Sequence, residues 1–371
     1  MNSRQRTIAA INRRPPDRVP IDLNPTLAAY EAIKNHLRLN IPEDLAPNTA
    51  MEVIPHPQVL QTLGVDMISV KFPSLSPQGG RLPEERTDEW GLRYRLVRQT
   101  LGAYYEVVHH PLANATLADV KEYPWPTADL TPKVDALRRA ACDLHEQTDL
   151  ALVGRFGAPI LEIAAHLLGM EEWYVRLATD QDFVRALLDK IAEAATGQDL
   201  AGIEAAGEYL QILKVSGEDL GMQTGPLYSM QLFHEVLLPP LRRRWQEARE
   251  ALLKVSPSAK IMLHSCGGVR TFIPDLIAAG IDILDPVQPL AQGMDPEGLR
   301  RDFPDLVFHG GLDVQRLLPY GSEEEVARQT LQCLQGFQAN RGGFILAPSH
   351  NVQADVPPRN ILAMIRACKG T

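Results

Sequence analysis

The sequence predicts an α/β protein built around a single closed (β/α)8 TIM barrel. Three observations support this class. Short apolar runs of strand length alternate with longer helical patterns through most of the 371 residues, which indicates a parallel sheet. About eight such units follow one another, the number that a closed barrel needs. The glycine-rich nucleotide fingerprints G-x-G-x-x-G and G-x-x-x-x-G-K-[ST] are missing after the early strands, which disfavours the alternative, a doubly wound open sheet.

The predicted strands share a short apolar-rich run that ends in a polar turn; they are 19–23, 65–70, 150–154, 209–215, 260–264, 281–284, 306–309 and 343–347. The predicted helices share apolar residues at the helical period; they are 6–12, 136–148, 159–178, 181–206, 229–255, 269–279, 295–302, 322–340 and 358–368. Between residues 25 and 58, prolines break the chain into shorter helical pieces.

One segment, 72–126, departs from this alternation. Residues 92–97 and 103–108 alternate polar and apolar side chains on both sides of a turn that contains Gly102, which predicts an antiparallel hairpin. The flanking sequence does not resemble a linker between domains. We therefore expect the hairpin region 88–110 to be an insertion in the N-terminal third of one domain that spans residues 1–371.

Composition excludes several classes of partner. The net charge is −9 with both signs mixed along the chain, which argues against nucleic acid or an anionic membrane surface. The four cysteines are scattered, so a disulfide scaffold is not expected. The first residues lack the apolar core of a signal peptide, and no segment approaches the roughly 20 apolar residues of a membrane span. The sequence predicts a cytoplasmic protein.

A histidine and a cysteine mark the end of the strand 260–264. His264 and Cys266 are two positions apart, and in extended chain such residues point the same way. An imidazole nitrogen and a thiolate that converge are suitable zinc ligands. His350 follows the last strand, and three protein ligands with one open position are typical of catalytic zinc. The alternatives are a packed cysteine beside a hydrogen-bonded histidine, and a His350 that binds substrate without metal.

Further candidates for catalysis or substrate binding share a position after a predicted strand; they are Glu218, Asp219, Gln288, His309, Asp313 and Asn351. Because the carboxyl ends of barrel strands meet at one mouth, these side chains are expected to face one site. Glu218 or Asp219 would supply an oxygen ligand or orient a histidine. Their alternative roles are a helix N-cap and a solvated turn, and the alternative for His309 is a packed side chain.

These strand-end motifs resemble the uroporphyrinogen decarboxylase superfamily over nearly the full chain, which implies the same barrel fold. The matching stretches are Pro16-Asp17-Arg18-Val19-Pro20, 216–226, His264-Ser265-Cys266-Gly267, His309-Gly310-Gly311-Leu312-Asp313, Ala347-Pro348-Ser349-His350 and Pro357-Pro358-Arg359-Asn360.

The superfamily has two well-understood branches: metal-free porphyrinogen decarboxylases, and zinc methyltransferases that move a methyl group between a corrinoid protein and a thiol such as coenzyme M. The decarboxylase element R-Q-A-G-R is missing, and Asn12-Arg13-Arg14-Pro15-Pro16 stands near its place. The decarboxylase aspartate after an early strand is not evident either, because that strand runs into Val70-Lys71-Phe72-Pro73. The His264–Cys266 pair resembles the methyltransferase zinc motif, with His350 in the loop where that branch has a third ligand, a cysteine.

The resemblance therefore implies a zinc-dependent methyltransferase that moves a methyl group between cobalamin, carried by a partner corrinoid protein, and a small thiol or methyl ether. His264, Cys266 and His350 would hold Zn²⁺. Two other functions remain open. One is a metal-free carboxy-lyase that decarboxylates a tetrapyrrole or another acid, with Arg155 and Lys71 in a basic pocket. The other is a non-catalytic protein that binds a corrinoid or tetrapyrrole.

Overall fold

The computed structural model describes residues 1–42, 47–48, 51–73, 82–126 and 130–370, without the side chains of Thr131 and Pro132. Parts of the proline-broken region predicted at 25–58, namely 43–46 and 49–50, lie outside the described residues. Among the helices that are described, none combines the length and the apolar character needed to cross a membrane.

The strands within the described ranges are β1 (Met67–Val70), β2 (Glu85–Thr87), β3 (Arg93–Gln99), β4 (Gly102–His109), β5 (Ala151–Gly154), β6 (Ile212–Gly217), β7 (Gly221–Met222), β8 (Gly225–Pro226), β9 (Lys260–His264), β10 (Ile283–Val287), β11 (Val307–Leu312) and β12 (Phe344–Pro348). The α-helices are α1 (Ser3–Ile11), α2 (Leu27–His36), α3 (Pro57–Leu63), α4 (Leu117–Glu122), α5 (Thr131–Gln147), α6 (Ile160–Leu168), α7 (Met170–Thr179), α8 (Gln181–Ala206), α9 (Met230–Leu232), α10 (Leu238–Val255), α11 (Ile273–Ala278), α12 (Pro296–Asp302), α13 (Leu317–Tyr320), α14 (Glu323–Gly336) and α15 (Pro358–Lys369). A π-helical turn, Phe233–Leu237, joins α9 to α10, and short 3₁₀ turns lie at Gly207–Tyr209, Arg270–Phe272 and Ala339–Arg341.

Seven strands form one curled parallel sheet in the order β1-β5-β6-β9-β10-β11-β12. Each connection within it carries at least one helix, as right-handed βαβ crossovers require. The strands supply side chains to a shared apolar layer that Ile11 of α1 also joins; its members are Ile11, Met67, Ala151, Val153, Ile212, Met262, Ile283, Val307 and Ile345. The predicted α/β class and parallel sheet are confirmed. Because neighbouring strands all pair in parallel, their carboxyl ends lie at one edge of the sheet.

The first predicted strand, 19–23, is wrong as a regular strand. Only Ile21 forms a parallel bridge, with Leu346 of β12. The segment nevertheless contacts both edges of the sheet, because the Leu346 N–H donates to Pro20 O (2.9 Å) and the Asp66 N–H donates to Ile21 O (2.8 Å). Pro20 has no N–H to give to a ladder, which limits regular pairing there. The complete eight-stranded barrel stays a prediction.

A separate antiparallel sheet, β2-β3-β4, contains the residues of the predicted hairpin. Strands β3 and β4 pair directly, and β2 adds a third strand along β3. Tyr94, Leu96 and Tyr105 are buried on one face and belong to the same apolar cluster as the helices around the main sheet. The small sheet therefore packs on the main body. Its status as an insertion in a single domain stays a prediction.

Two of the predicted helices break or end beside a residue with a positive φ angle. The helix 159–178 is divided into α6 and α7 at Gly169, which has φ +87°, a conformation that L side chains adopt at a cost. The helix 322–340 ends at Gly336, and Gln338 beyond it is left-handed with φ +48°. In contrast, α8 covers the predicted range 181–206. Apolar periodicity locates helices well, but it does not reveal a break that a single backbone angle imposes.

Candidate metal centre

Three predicted ligands come together at the carboxyl edge of the main sheet. His264 ends β9, Cys266 lies in the following loop, and His350 follows β12. Their ligand atoms all lie within 4.8 Å of one another. His264 Nε2 is 3.3 Å from the Cys266 Sγ atom, and the two imidazole rings meet edge to face with centroids 5.7 Å apart. The three side chains therefore lie together, and their role as metal ligands stays a prediction.

One buried carboxylate sets the orientation of His264. Its Nδ1 lies 3.0 Å from Oδ2 of Asp285 on the adjacent strand β10. When Nδ1 donates to this carboxylate, the lone pair of the neutral imidazole is on Nε2, the atom that faces Cys266. Metal-bound histidines commonly have such a carboxylate partner. Asp285 thus leaves the second ring nitrogen of His264 directed toward Cys266.

Asp285 also holds two cationic groups. Lys214 of β6 donates to Oδ2 at 2.6 Å, and His309 Nδ1 lies 2.7 Å from Oδ1. His309 Nε2 in turn lies 3.0 Å from Oδ2 of Asp22. Burial by itself lowers the pKa of His309, but the carboxylates of Asp285 and Asp22 outweigh it and raise the pKa to about 9. These contacts form a continuous network of charged side chains that connects the N-terminal segment to a candidate ligand; its members in order are Asp22, His309, Asp285 and His264.

The electrostatic surroundings of Cys266 fit a bound cation. Burial first, and then the nearby carboxylates of Asp219 and Asp285, raise the pKa of the Cys266 thiol. Burial also lowers the pKa of His350, which favours the neutral imidazole that binds metals. The positive charge of Lys214 offsets the rise in the Cys266 pKa only in part. A divalent ion would provide the remaining positive charge.

The donor set itself suits zinc. Two imidazole nitrogens and one thiolate are typical zinc ligands, and bond lengths of about 2.0–2.3 Å place neighbouring ligand atoms roughly 3.5 Å apart. The observed separations of 3.3 Å and up to 4.8 Å are close to that spacing, so small side-chain rotations would complete the site. Three ligands leave a position for a substrate atom.

Two other predicted residues lie directly beside the three ligands. The Cys266 N–H donates to Asp219 Oδ1 at 3.0 Å. The Gly267 N–H donates to Gln288 Oε1 at 3.1 Å, and the Gln288 amide reaches the Ser349 carbonyl at 3.5 Å. Asp219 and Gln288 therefore hold the loops that carry Cys266 and His350. Asn351 follows His350 and is half-buried.

Glu218 and Asp313 make a different kind of contact. Glu218 is fully buried and accepts the Ile160 and Leu161 N–H groups at 2.8 Å each, at the start of α6. Burial raises its pKa to about 7. Asp313 accepts three backbone N–H groups ahead of α13. Both carboxylates thus cap helices, which for Glu218 is the alternative that the sequence allowed. A substrate role for either one stays a prediction.

Sequence reasoning did not assign roles to Lys214 and Asp285. Both are charged side chains inside strands that are otherwise apolar, and a charge in a buried parallel strand is the signal that marks them. Glu162 in the first turn of α6 was also missed. Burial and the neighbouring Asp219 carboxylate raise its pKa, so it adds to the acidic character beside the candidate ligands.

Comparison with known proteins shows which family this chain is similar to. A family model described as uroporphyrinogen decarboxylase (URO-D) matches residues 102–371. A methylated-thiol–coenzyme M methyltransferase from Methanosarcina mazei is 24% identical over 268 residues, covering 70% of this chain but 65% of the relative, just under two thirds of its length. A uroporphyrinogen decarboxylase from Proteus mirabilis is also 24% identical, over 72% of each chain.

A solved structure shares the whole fold. A methyltransferase from Methanosarcina mazei superposes with a TM-score of 0.65 and 18% identity, covering 100% of this chain and 99% of the other. At that identity the similarity establishes the fold alone. The matched range of the family model contains His264, Cys266 and His350, whereas Asp22 lies before its first residue.

Proposed function

The chain belongs to the uroporphyrinogen decarboxylase family, and on this basis we propose that it is a zinc-dependent methyltransferase. It moves a methyl group between a corrinoid carrier and a small thiol or methyl-ether substrate. The observation that carries the proposal is the meeting of His264, Cys266 and His350 ligand atoms within 4.8 Å. The similarity to a methylated-thiol methyltransferase supports it, as does the absence of the decarboxylase arginine element from the start of the chain.

Zinc bound by these three residues supplies a Lewis acid that lowers the pKa of a thiol or polarises an ether oxygen. The protein's own residues prepare the site. Asp285 keeps His264 Nε2 directed at the ligand cluster. Asp219 and Gln288 fix the loop 265–268 through its backbone N–H groups. A zinc ion held by three residues would have a fourth position for the sulfur or oxygen of the substrate.

The transfer itself balances without an external oxidant or reductant. When a thiol is the acceptor, its S–H proton would pass to solvent, and the sulfur electron pair would form the new S–C bond. The Co–C bond of the methylated corrinoid breaks, and its electron pair stays on cobalt. The corrinoid belongs to a partner protein that docks over the opening formed by the carboxyl strand ends. We include a cytoplasmic location in the proposal, because a reducing compartment keeps the Cys266 thiol available for metal.

The first test is metal content combined with corrinoid turnover. Protein purified without chelators is expected to hold about one zinc per chain. With methylcobalamin and a panel of thiols, or with cob(I)alamin and methyl ethers, the corrinoid spectrum should change in a zinc-dependent way. Cys266→Ala should remove most of the zinc and the spectral change. Cys142→Ala is the matched control, because Cys142 lies on α5 away from the candidate ligands.

The carboxy-lyase alternative predicts a different outcome. Wild-type protein that stays metal-free after zinc is added would contradict the proposal. Decarboxylation of a porphyrinogen at the same rate by wild type and Cys266→Ala would favour the lyase. Tight binding of a corrinoid without turnover by any substrate would favour the non-catalytic binding protein.

A further inference from the structure

Asp285 connects two further residues, His309 and Asp22, to the candidate metal centre. His309 lies within β11, and Asp22 belongs to the segment 19–23 that contacts both edges of the main sheet. Their side chains are 3% and 14% exposed. The Asp22 N–H donates to Leu346 O of β12 at 2.9 Å, so a strand of the sheet fixes the backbone of Asp22.

The carboxylate of Asp22 is held in place by its neighbours along the chain. Its Oδ1 accepts the Leu23 N–H at 2.8 Å, and its Oδ2 accepts the side-chain amide of Asn24 at 3.1 Å. The same Oδ2 lies 3.0 Å from His309 Nε2. Asp22 is therefore a fixed acceptor for the His309 ring, in a position that the backbone of the N-terminal segment sets.

The His309 ring lies between two carboxylates. Its Nε2 faces Asp22, and its Nδ1 is 2.7 Å from Oδ1 of Asp285. The contact at Nδ1 is that of an ion pair, without the alignment of a straight hydrogen bond. Because an ionised carboxylate only accepts, both ring nitrogens carry hydrogen and the ring is a cation. A planar ring held at both nitrogens loses a contact when it rotates.

The two oxygens of Asp285 have different partners. Oδ2 meets Lys214 Nζ at 2.6 Å and His264 Nδ1 at 3.0 Å, while Oδ1 meets His309. The terminal torsion of an aspartate is broad and roughly two-fold. With contacts at one oxygen, the carboxylate could turn about its Cβ–Cγ bond, because the long Lys214 side chain can follow it. The rigidly held His309 ring opposes this rotation at the other oxygen.

The orientation of this carboxylate decides which nitrogen of His264 carries hydrogen. We propose that Asp22 and His309 are positioning residues that hold Asp285 where His264 keeps its hydrogen on Nδ1 and presents Nε2 to the metal. This inference rests on the proposed function, because it concerns the same metal centre. It extends that centre into the N-terminal segment, since Asp22 lies outside the range 102–371 that the family model matches.

The first experiment observes His264 in metal-free protein at mildly alkaline pH. NMR of nitrogen-15-labelled histidine distinguishes a ring nitrogen that carries hydrogen from one that does not, and loss of signals in His264→Gln assigns His264. Wild type should show the single tautomer with hydrogen on Nδ1. Asp22→Ala should give a mixture of both tautomers. His309→Gln should do the same, because the substitution removes the positive charge and leaves one nitrogen to donate instead of two.

Asp66→Ala is the matched control, because Asp66 is also a buried aspartate that holds cations at 2.7 Å, but ahead of β1. This variant should keep the single tautomer of His264. A wild-type mixture of tautomers would overturn the inference without any variant. An unchanged tautomer in Asp22→Ala and His309→Gln would also overturn it, because the pair would then support the fold alone.

The second measurement is zinc affinity, determined by competition with a chromophoric chelator. Loss of a residue that orients a metal-bound histidine weakens metal binding about tenfold or more. Asp22→Ala and His309→Gln should therefore bind zinc about tenfold more weakly than wild type, whereas Asp66→Ala should keep the wild-type affinity. Equal zinc affinity of wild type and both variants would overturn the inference. Wild-type protein that binds no zinc would contradict the proposed function instead, and the His264 tautomer would still decide the positioning role.

Discussion

Two buried aspartates at opposite ends of the sheet bind several cations each, yet they belong to different kinds of cluster. Asp66, fully buried, precedes β1 and accepts hydrogen bonds from Arg6 and Arg18 at 2.7 Å each. It also accepts the Ile21 N–H at 2.8 Å. Asp285, 5% exposed, holds Lys214, His264 and His309. Both carboxylates are therefore well compensated.

The two clusters differ in the contacts that the partner side chains make through their remaining polar atoms. Arg6 bonds Asp17 and the Met1 carbonyl, and Arg18 bonds the Gly64 carbonyl. The cluster around Asp66 therefore ends within the chain. His264, in contrast, directs its Nε2 atom at the Sγ atom of Cys266, which is itself a candidate metal ligand. A buried charge network in which every polar atom has a partner within the chain contributes to stability. A network in which several potential metal-ligand atoms face one another indicates a binding site.

The largest expected effect on stability belongs to Asp66. Asp66→Ala leaves Arg6 and Arg18 partly buried without their shared carboxylate, which should lower the free energy of unfolding by about 3–5 kcal/mol. If the proposed zinc site is present, the folded variant should bind as much zinc as wild type. Urea denaturation and metal analysis measure both. Asp17→Ala is the control, since the Asp17 side chain is 40% exposed and the loss should be under about 1 kcal/mol. An Asp66→Ala protein that is as stable as wild type but binds no zinc would contradict this prediction, because Asp66 would then support the metal centre and not the stability of the fold.

His309 should show an intermediate effect that depends on pH. Its pKa of about 9 in the folded protein lies above the unfolded value of about 6.5. The stabilisation is therefore complete below pH 6.5 and is lost as pH rises through 9, a total of up to about 3 kcal/mol. His309→Gln should remove this dependence, measured by unfolding at a series of pH values. His56→Gln, near the start of α3, should retain it, and an unchanged slope in His309→Gln would contradict the assignment.

Substitution of Glu218 should have a smaller effect, and the pH dependence of its contribution to stability has the same sign as that of His309. Its folded pKa of about 7 is above the ordinary value of about 4.3, so its contribution to stability is greatest below that value and falls as pH rises toward and through 7. Glu218→Gln turns an amide N–H toward the helix N–H groups, which should cost about 1–3 kcal/mol. Unfolding at pH 5 and pH 8 checks both statements. Greater stability of wild type at pH 8 than at pH 5 that depends on Glu218 would contradict the sign.

The smallest effect on stability is expected for Cys266. In metal-free protein Cys266→Ala should change the free energy of unfolding by less than about 1 kcal/mol, since the half-buried thiol has a weak hydrogen bond. In zinc-loaded protein the same substitution should remove the metal-dependent stabilisation. Thermal unfolding with and without zinc measures the difference. Strong destabilisation of the metal-free protein by Cys266→Ala would mean that Cys266, like Asp66, contributes mainly to the stability of the fold.

Much of the site was accessible from local sequence. His264 and Cys266 are two residues apart at a strand end, and the period of an extended chain decides that they share a side. His350 followed from the rule that parallel strands bring their carboxyl ends to one opening. The strand-helix alternation likewise predicted the class and the location of α8. Each of these inferences needs only short-range geometry or a rule that holds for the whole fold.

The roles of the carboxylates were decided by the tertiary structure. Glu218 and Asp219 are adjacent after the same strand, yet Glu218 caps α6 while Asp219 holds the Cys266 backbone. Composition cannot separate these roles, because either carboxylate accepts N–H groups equally well and the choice depends on which backbone lies nearby.

The sequence by itself determined the strand-helix order, the parallel sheet and the pair His264–Cys266. Only the tertiary structure joined Asp22 to His309 across 287 positions and reduced the segment 19–23 to a single bridge at Ile21. The physical reason is the range of the interactions. Local backbone geometry sets periodicity and the direction of neighbouring side chains. Partners for a buried charge or an edge strand come from distant segments, so their identity depends on how the whole chain packs.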